Sequence, residues 1–196
     1  LKARGLEIPI KHCSNSAGII DLPQANLNCV RAGITMYGMY PSEEVQKDKV
    51  PLKPALGLKS FVTYVKELGP GEEISYGGTY VTERTMRIAT VAVGYGDGYP
   101  RSLSNCGYVL ICGKRARILG RVCMDQLMVD VTDIMEADVD TPVTLIGKDG
   151  DEEITMEHLA ELCGGFHYEM VCDIGKRVPR VYYRGGKVVG TMDCFA

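Results

Sequence analysis

Apolar and polar positions alternate in two different ways along this chain. The opening, LKARGLEIPI, predicts a charged helical tail over Leu1 to Gly5 that runs into a short apolar strand at Ile8 to Lys11. A polar loop follows, and the apolar run from Asn28 to Met36 predicts a second strand. Strand, helix and strand in succession is the rhythm of an α/β layer. The segment PSEEVQKDKVP, Pro41 to Pro51, sets charges between two prolines with little that could enter a core, as expected of a domain boundary. We place that boundary after residue 47, giving domains 1–47 and 48–196.

From Leu52 the rhythm is that of short strands rich in Val, Ile, Thr and Tyr: SFVTYVKEL, RIATVAVGY, YVLICG, ARILGRV, LMVDVTDI, PVTLIG and RVYYRGGKVVG. Several such runs at short spacing predict a β-barrel or sandwich. Pro70-Gly71, Gly77-Gly78, Asp149-Gly150 and Gly185-Gly186 read as hairpin ends. One clear helix is expected after Ile154. Thr155 can cap it, Met156, Leu159, Leu162 and Cys163 fall near one face, and Gly164 can end it. The fold class is therefore α/β followed by mostly β.

Composition narrows the partners. The 196 residues are 45% hydrophobic and 24% charged, enough for an ordinary core and unlike a disordered chain. A net charge of -3 with scattered Lys and Arg leaves no footprint for nucleic acid, so a small-molecule partner is expected. The eight cysteines form no C-x-x-C pair, which points to a reduced, cytoplasmic protein. His158 and His167 do not complete a paired Cys/His ligand pattern with the cysteines, and no metal is expected. No apolar run approaches the roughly 18 residues of a membrane span. The chain opens mid-pattern on Leu1 rather than methionine, and reads as a piece of a longer polypeptide.

Four loops could carry chemistry. In HCSNSAG, His12 to Gly18, small polar residues and backbone N–H groups between a strand and a helix could hold an anion, with Ser16 the foremost hydroxyl donor; an ordinary N-cap by Asn15 or Ser16 accounts for the same residues. In CVRAGITMYG, Cys29 to Gly38, Arg31 sits among residues expected to be buried, so it needs an ion-pair partner or a ligand, while Gly33 allows close backbone approach beside Ile34. In ATVAVGYGDGYPR, a strand ends in Gly94-Tyr95-Gly96-Asp97-Gly98, so Tyr95 projects from a pliable backbone. A phenol with an ordinary pKa near 10 needs a neighbouring cation to act as a base at neutral pH; a tight turn with an incidental aromatic is the plainer reading. In GRVCMDQLMVDV, Cys123 has no histidine nearby and apolar neighbours, so it reads as a buried inert thiol or as a backbone contact to a small substrate.

HCSNSAG, VRAGITMYG, VGYGDGYPR and GRVCMDQ, in this order, together with SYGGTY at Ser75 to Tyr80 and RVPR at Arg177 to Arg180, resemble alanine racemases over essentially the whole chain. The resemblance implies the last two βα units of a (β/α)8 barrel up to about residue 47, then a mostly β C-terminal domain. It implies pyridoxal phosphate as cofactor, bound covalently to a lysine in a stretch like K-A-N-A-Y-G-H-G, which occurs nowhere here. By motif match Ser16 and the backbone at Gly33 and Ile34 would contact the phosphate, and Arg31 would face the pyridine nitrogen. Tyr95 matches one of two proton-transfer bases, the absent lysine being the other. Met124, with Cys123 and Asp125, matches the segment that meets the substrate carboxylate.

In such enzymes the two bases come from different subunits of a homodimer, and the reaction interconverts L- and D-alanine, a peptidoglycan precursor. The fragment alone would then be inactive. Where many members carry a tyrosine immediately before RVPR, this chain has Lys176, which leaves serine open as a substrate. A non-catalytic dimerisation module is the alternative of a different class. A decarboxylase of the same cofactor class fits less well, because it lacks the tyrosine turn and needs a stronger electron sink than Arg31 would leave.

Overall fold

Asn15 begins the first helix in the computed structural model, which describes residues 1–195: its side-chain oxygen accepts the Gly18 N–H at 3.1 Å, capping α1 (Ser16–Asp21). By its contacts the chain forms two compact units, Leu1–Leu56 and a second that begins at Gly57. The first contains a 3-10 turn at Lys2–Arg4, α1, and further 3-10 turns at Pro23–Ala25 and Ile34–Tyr37. Gly38 ends the last of these at φ +77°, where a Cβ would stand 1.8 Å from the Lys53 carbonyl oxygen.

The two strands expected here reduce to one parallel bridge, His12–Cys29. Strand geometry persists where neighbours complete the ladder, and this stretch meets one at a single position. Segment 48–56 belongs to the first unit: Ala55 N–H donates to Tyr37 O at 2.9 Å, and the Tyr40 hydroxyl bonds the carbonyls of Lys47 and Val50. The contact border thus falls at Leu56, beyond the polar segment.

The second unit is mostly β with few helices. Its strands are β1 (Leu58–Leu68), β2 (Glu73–Ile74), β3 (Tyr80–Val81), β4 (Met86–Val91), β5 (Tyr108–Ile111), β6 (Lys114–Leu119), β7 (Leu127–Asp130), β8 (Pro142–Asp149), β9 (Glu152–Ile154), β10 (Arg180–Arg184) and β11 (Lys187–Met192). Seven form one antiparallel sheet in the order β1-β4-β7-β6-β5-β8-β9, and β1 also pairs with β8. β1 is long enough to do both: Leu58 to Phe61 pair with β8, and after an irregularity beyond Val62 the remainder pairs with β4. The sheet closes on itself, and the inward residues Val62, Val91, Val109, Ile111, Ile118, Leu127, Val129 and Leu145 are fully buried.

The helix after Ile154 is α2 (Met156–Cys163), capped by the Thr155 hydroxyl, which accepts from His158 N–H at 3.1 Å, and ended by Gly164 at φ +63°. Its buried face is Met156, Leu159 and Ala160. A single helix was expected, but α3 (His167–Asp173) follows it. Phe166 precedes α3 without a side-chain cap, so no start signal marks it; burial of His167 and Met170, three apart, seats it instead. Gly77-Gly78, Asp149-Gly150 and Gly185-Gly186 lie between strands that pair, whereas Pro70-Gly71 joins β1 and β2, which pair with other strands.

Candidate active site

In the first unit, capping of α1 by Asn15 frees Ser16 for another role. Ser16 is buried, and its hydroxyl oxygen accepts the Gly33 N–H at 3.0 Å while lying 3.5 Å from Thr35 N and 3.2 Å from the Thr35 hydroxyl. Two hydroxyls and two backbone N–H groups therefore converge, with no carboxylate among these contacts. With its oxygen accepting those N–H groups, the Ser16 hydroxyl keeps its own proton to donate, and a hydroxyl donor of this kind suits a phosphate. Ile34, buried beside it, opens the 3-10 turn. Three of the residues expected to hold a cofactor, Ser16, Gly33 and Ile34, are thus brought together.

Arg31 differs from expectation, since it is exposed rather than buried. Its N–H donates to Ser14 O at 3.0 Å and its guanidinium to Cys13 O at 3.1 Å, which lays the charge along the HCSNSAG loop. A cavity of about 300 Å³ on the same loop is lined by Cys13, Ser14, Asn15 and Asp21 and does not include Ser16.

In the second unit the Tyr95 and Met124 loops run side by side. Tyr95 N–H donates to Cys123 O at 3.0 Å and Gly96 N–H to Met124 O at 2.8 Å. This approach requires Gly94, where a Cβ would stand 2.2 Å from Cys123 O and 2.3 Å from Met124 O. Asp97 rounds off the turn by accepting Gly94 N–H at 2.9 Å. Arg177 then ties three segments together, pairing through Nε with Asp97 at 2.9 Å and through Nη2 with Asp125. The Asp125 hydrogen bond and the Asp97 charge raise the guanidinium's pKa further above its already high range, so it is a permanent cation.

Tyr95, 44% exposed, and Met124, 52% exposed, present their side chains outward. Cys123 does not. Its thiol is buried, 3.4 Å from the Ser75 hydroxyl and 3.5 Å from Arg121 O, so its side chain faces the protein interior.

The SYGGTY loop, which the sequence offered only as a family motif and a hairpin end, carries a second exposed tyrosine. Ser75 adopts φ +65°, ψ -179°, a conformation that glycine favours and that costs another residue about 1–3 kcal/mol. Its hydroxyl donates to Arg121 O at 2.6 Å. Tyr76 follows, 74% exposed, and then Gly77 at φ +72°, where a Cβ would lie 2.8 Å from the Arg121 guanidinium. Among the described residues no carboxylate pairs with that guanidinium. The signal was available, since Ser75-Tyr76-Gly77-Gly78, like Gly94-Tyr95-Gly96, sets a tyrosine against glycine. Segment 121–125 thus joins the two turns that carry the exposed Tyr76 and Tyr95, with Arg177 compensated at Asp125 and Arg121 not compensated among the described residues.

Among the described residues no group of His, Cys, Asp and Glu could hold a metal ion, and no helix is long and apolar enough to cross a membrane.

Residues 55–182 match the family description "Alanine racemase, C-terminal domain" and residues 1–41 match "Alanine racemase, N-terminal domain". The alanine racemase of Methanococcus maripaludis is 50% identical over 93% of this chain and 48% of its own length; that of Halothermothrix orenii is 51% identical over 90% and 46%. Among solved structures, alanine racemase from Bacillus anthracis with bound L-Ala-P superposes with a TM-score of 0.92 at 42% identity, covering 99% of this chain and 50% of that one. Alanine racemase of Clostridium difficile 630 in complex with cycloserine gives 0.91 at 43% identity, covering 98% and 50%. The chain spans about half the length of the curated relatives it matches.

Proposed function

The chain belongs to the alanine racemase family, and from that premise we propose that it forms the C-terminal part of an enzyme interconverting L- and D-alanine. In this reading residues 1–47 are the last two βα units of a (β/α)8 barrel whose other units lie in the half of the relatives that the chain does not span. The mostly β second unit completes the site of a partner copy in a cytoplasmic homodimer. Eight free cysteines agree with a reducing compartment.

Pyridoxal phosphate, when bound, supplies an electron-withdrawing ring that makes the α-hydrogen of an amino acid acidic. Ser16, Gly33 and Ile34 would hold its phosphate, Ser16 through its hydroxyl proton. Arg31 would face the ring nitrogen and, because a guanidinium hardly gives up its proton, leave that nitrogen unprotonated. The weaker electron sink favours return of a proton over bond-breaking side reactions. Met124 and Asp125 would meet the amino-acid carboxylate through backbone N–H groups, and Cys123 contributes its carbonyl to the Tyr95 turn.

One observation carries this reading: segment 121–125 holds both exposed tyrosines, Tyr95 through its backbone and Tyr76 through Ser75 and Arg121. Racemisation needs a base on each face of the α-carbon, and one of them is a phenol of this chain. A cation not already neutralised by carboxylates is the better partner for a group that moves a proton. Arg177, against Gly96 of the Tyr95 turn, pairs with two carboxylates, whereas the Arg121 guanidinium, against Gly77 of the Tyr76 turn, pairs with none among the described residues. Tyr76 is accordingly our base, with Tyr95 shaping the approach. Tyr95 in the base role is the second reading, favoured by its direct tie to the Met124 segment. Serine stands as a second substrate, because Lys176 is exposed and flanked by Gly175 and Arg177, which are both anchored to Asp97.

The test is chiral analysis of L-alanine and L-serine incubated with pyridoxal phosphate and the complete polypeptide, with Tyr76→Phe and Tyr95→Phe beside it. Racemisation undiminished in both variants would remove the phenol from the chemistry.

A further inference from the structure

Ser75 stands in a backbone conformation suited to glycine, yet carries a side chain. The hydroxyl explains why. It donates to Arg121 O at 2.6 Å, leaving its oxygen 3.4 Å from Cys123 Sγ, so the thiol proton can turn either to Ser75 or to Arg121 O. From below, Gly120 closes the same contact: at φ +74° it has no room for a Cβ, which would fall 2.5 Å from Ile74 O and 2.8 Å from Ser75 Cβ. Two loops 46 residues apart in sequence therefore touch along Ile74-Ser75 and Gly120 to Cys123, and Ser75 supplies the polar bonds of that contact. Tyr76 follows Ser75 directly, and Met124 follows Cys123.

We propose that Ser75 is a positioning residue, whose hydroxyl clamp on Arg121 and Cys123 fixes the placement of Tyr76 relative to Met124. This rests on the reading of Tyr76 and Met124 as parts of the racemase site. The strained backbone is tolerated because relaxing it would rotate the hydroxyl off Arg121 O and carry Tyr76 away with it. A displacement of about 1 Å at a reacting group costs on the order of a hundredfold in rate. The clamp also shields the Cys123 sulfur.

The experiment uses Ser75→Gly and Ser75→Ala in the complete polypeptide. Glycine relieves the backbone, so Ser75→Gly should melt no lower than Ser75→Ala. Both should lose about tenfold or more in kcat with KM changed little. Independently of activity, peptide mapping after alkylation should show Cys123 labelled faster in both variants, in protein with or without cofactor. Parental kcat in Ser75→Gly, or parental labelling of Cys123, would overturn the proposal. So would a loss of activity that follows melting temperature across both variants, because that is the behaviour of a purely structural contact. If Tyr76→Phe retains full activity, the reading of the site fails; if Tyr76→Phe is inactive while Ser75→Gly is fully active, only the clamp fails.

Discussion

Tyr95 is bound to Cys123 through its main chain and not through its ring: the Tyr95 N–H donates to the Cys123 carbonyl at 3.0 Å, and the phenol remains exposed. The loop that presents a candidate acid–base group is thereby locked to the loop that presents Met124, while the ring keeps its freedom to meet a ligand. That lock depends on the absence of a side chain one position earlier.

Gly94→Ala would set a Cβ 2.2 Å from Cys123 O and 2.3 Å from Met124 O, neither of which is the far end of a flexible side chain. The backbone must shift, and we expect a loss of about 2 kcal/mol or more, in the range of overpacked core substitutions. Urea denaturation measures it. Parental stability would show that the two loops are not held as tightly as the hydrogen bonds indicate.

The two tyrosines separate by isotope exchange. Removal of a general base costs about 10²–10⁴ in rate. Tyr76→Phe should slow uptake of solvent deuterium at the α-carbon by that factor from one enantiomer, whereas Tyr95→Phe should mainly alter KM. The reverse pattern would transfer the base to Tyr95.

Arg31 lies along the HCSNSAG loop with its guanidinium on Cys13 O. Arg31→Glu in the complete polypeptide replaces a fixed donor with a group that can share a proton with a ring nitrogen. A long-wavelength absorbance band should then build up during turnover with alanine, alongside slower racemisation. An unaltered spectrum would place Arg31 away from the cofactor ring.

Lys176 is exposed between Gly175, whose N–H donates to Asp97 O at 3.1 Å, and Arg177, paired with the Asp97 carboxylate at 2.9 Å. Its backbone is therefore fixed beside the Tyr95 turn while its side chain is not. Lys176→Tyr should shift the ratio of alanine to serine turnover, read as kcat/KM for each. Identical ratios before and after would exclude Lys176 from substrate selection.

Much of the local structure was legible in the residues. Thr155 and Gly164 mark the two ends of α2, and Gly185-Gly186 marks the β10–β11 hairpin. Apolar alternation marks the strands whose inward positions are fully buried. Capping, turn geometry and the two-residue period of a strand act over a few neighbours, so the sequence alone determines them. The four motifs in order determined the family in the same way.

What the tertiary structure decided was the company each residue keeps. Asn15 rather than Ser16 caps α1, which turns the Ser16 hydroxyl toward Gly33. Cys123 looks inward to Ser75, and Arg177 lends its charge to Asp97 and Asp125 while Arg121 keeps its own against Gly77. The pairings of Ser75, Cys123, Arg177 and Arg121 join distant segments of the second unit, whose long strand β1 closes the sheet between β4 and β8, and Ser16–Gly33 joins two segments within the first unit; local pattern fixes none of these contacts. Charge compensation depends on distance in space, and only the closed sheet sets those distances.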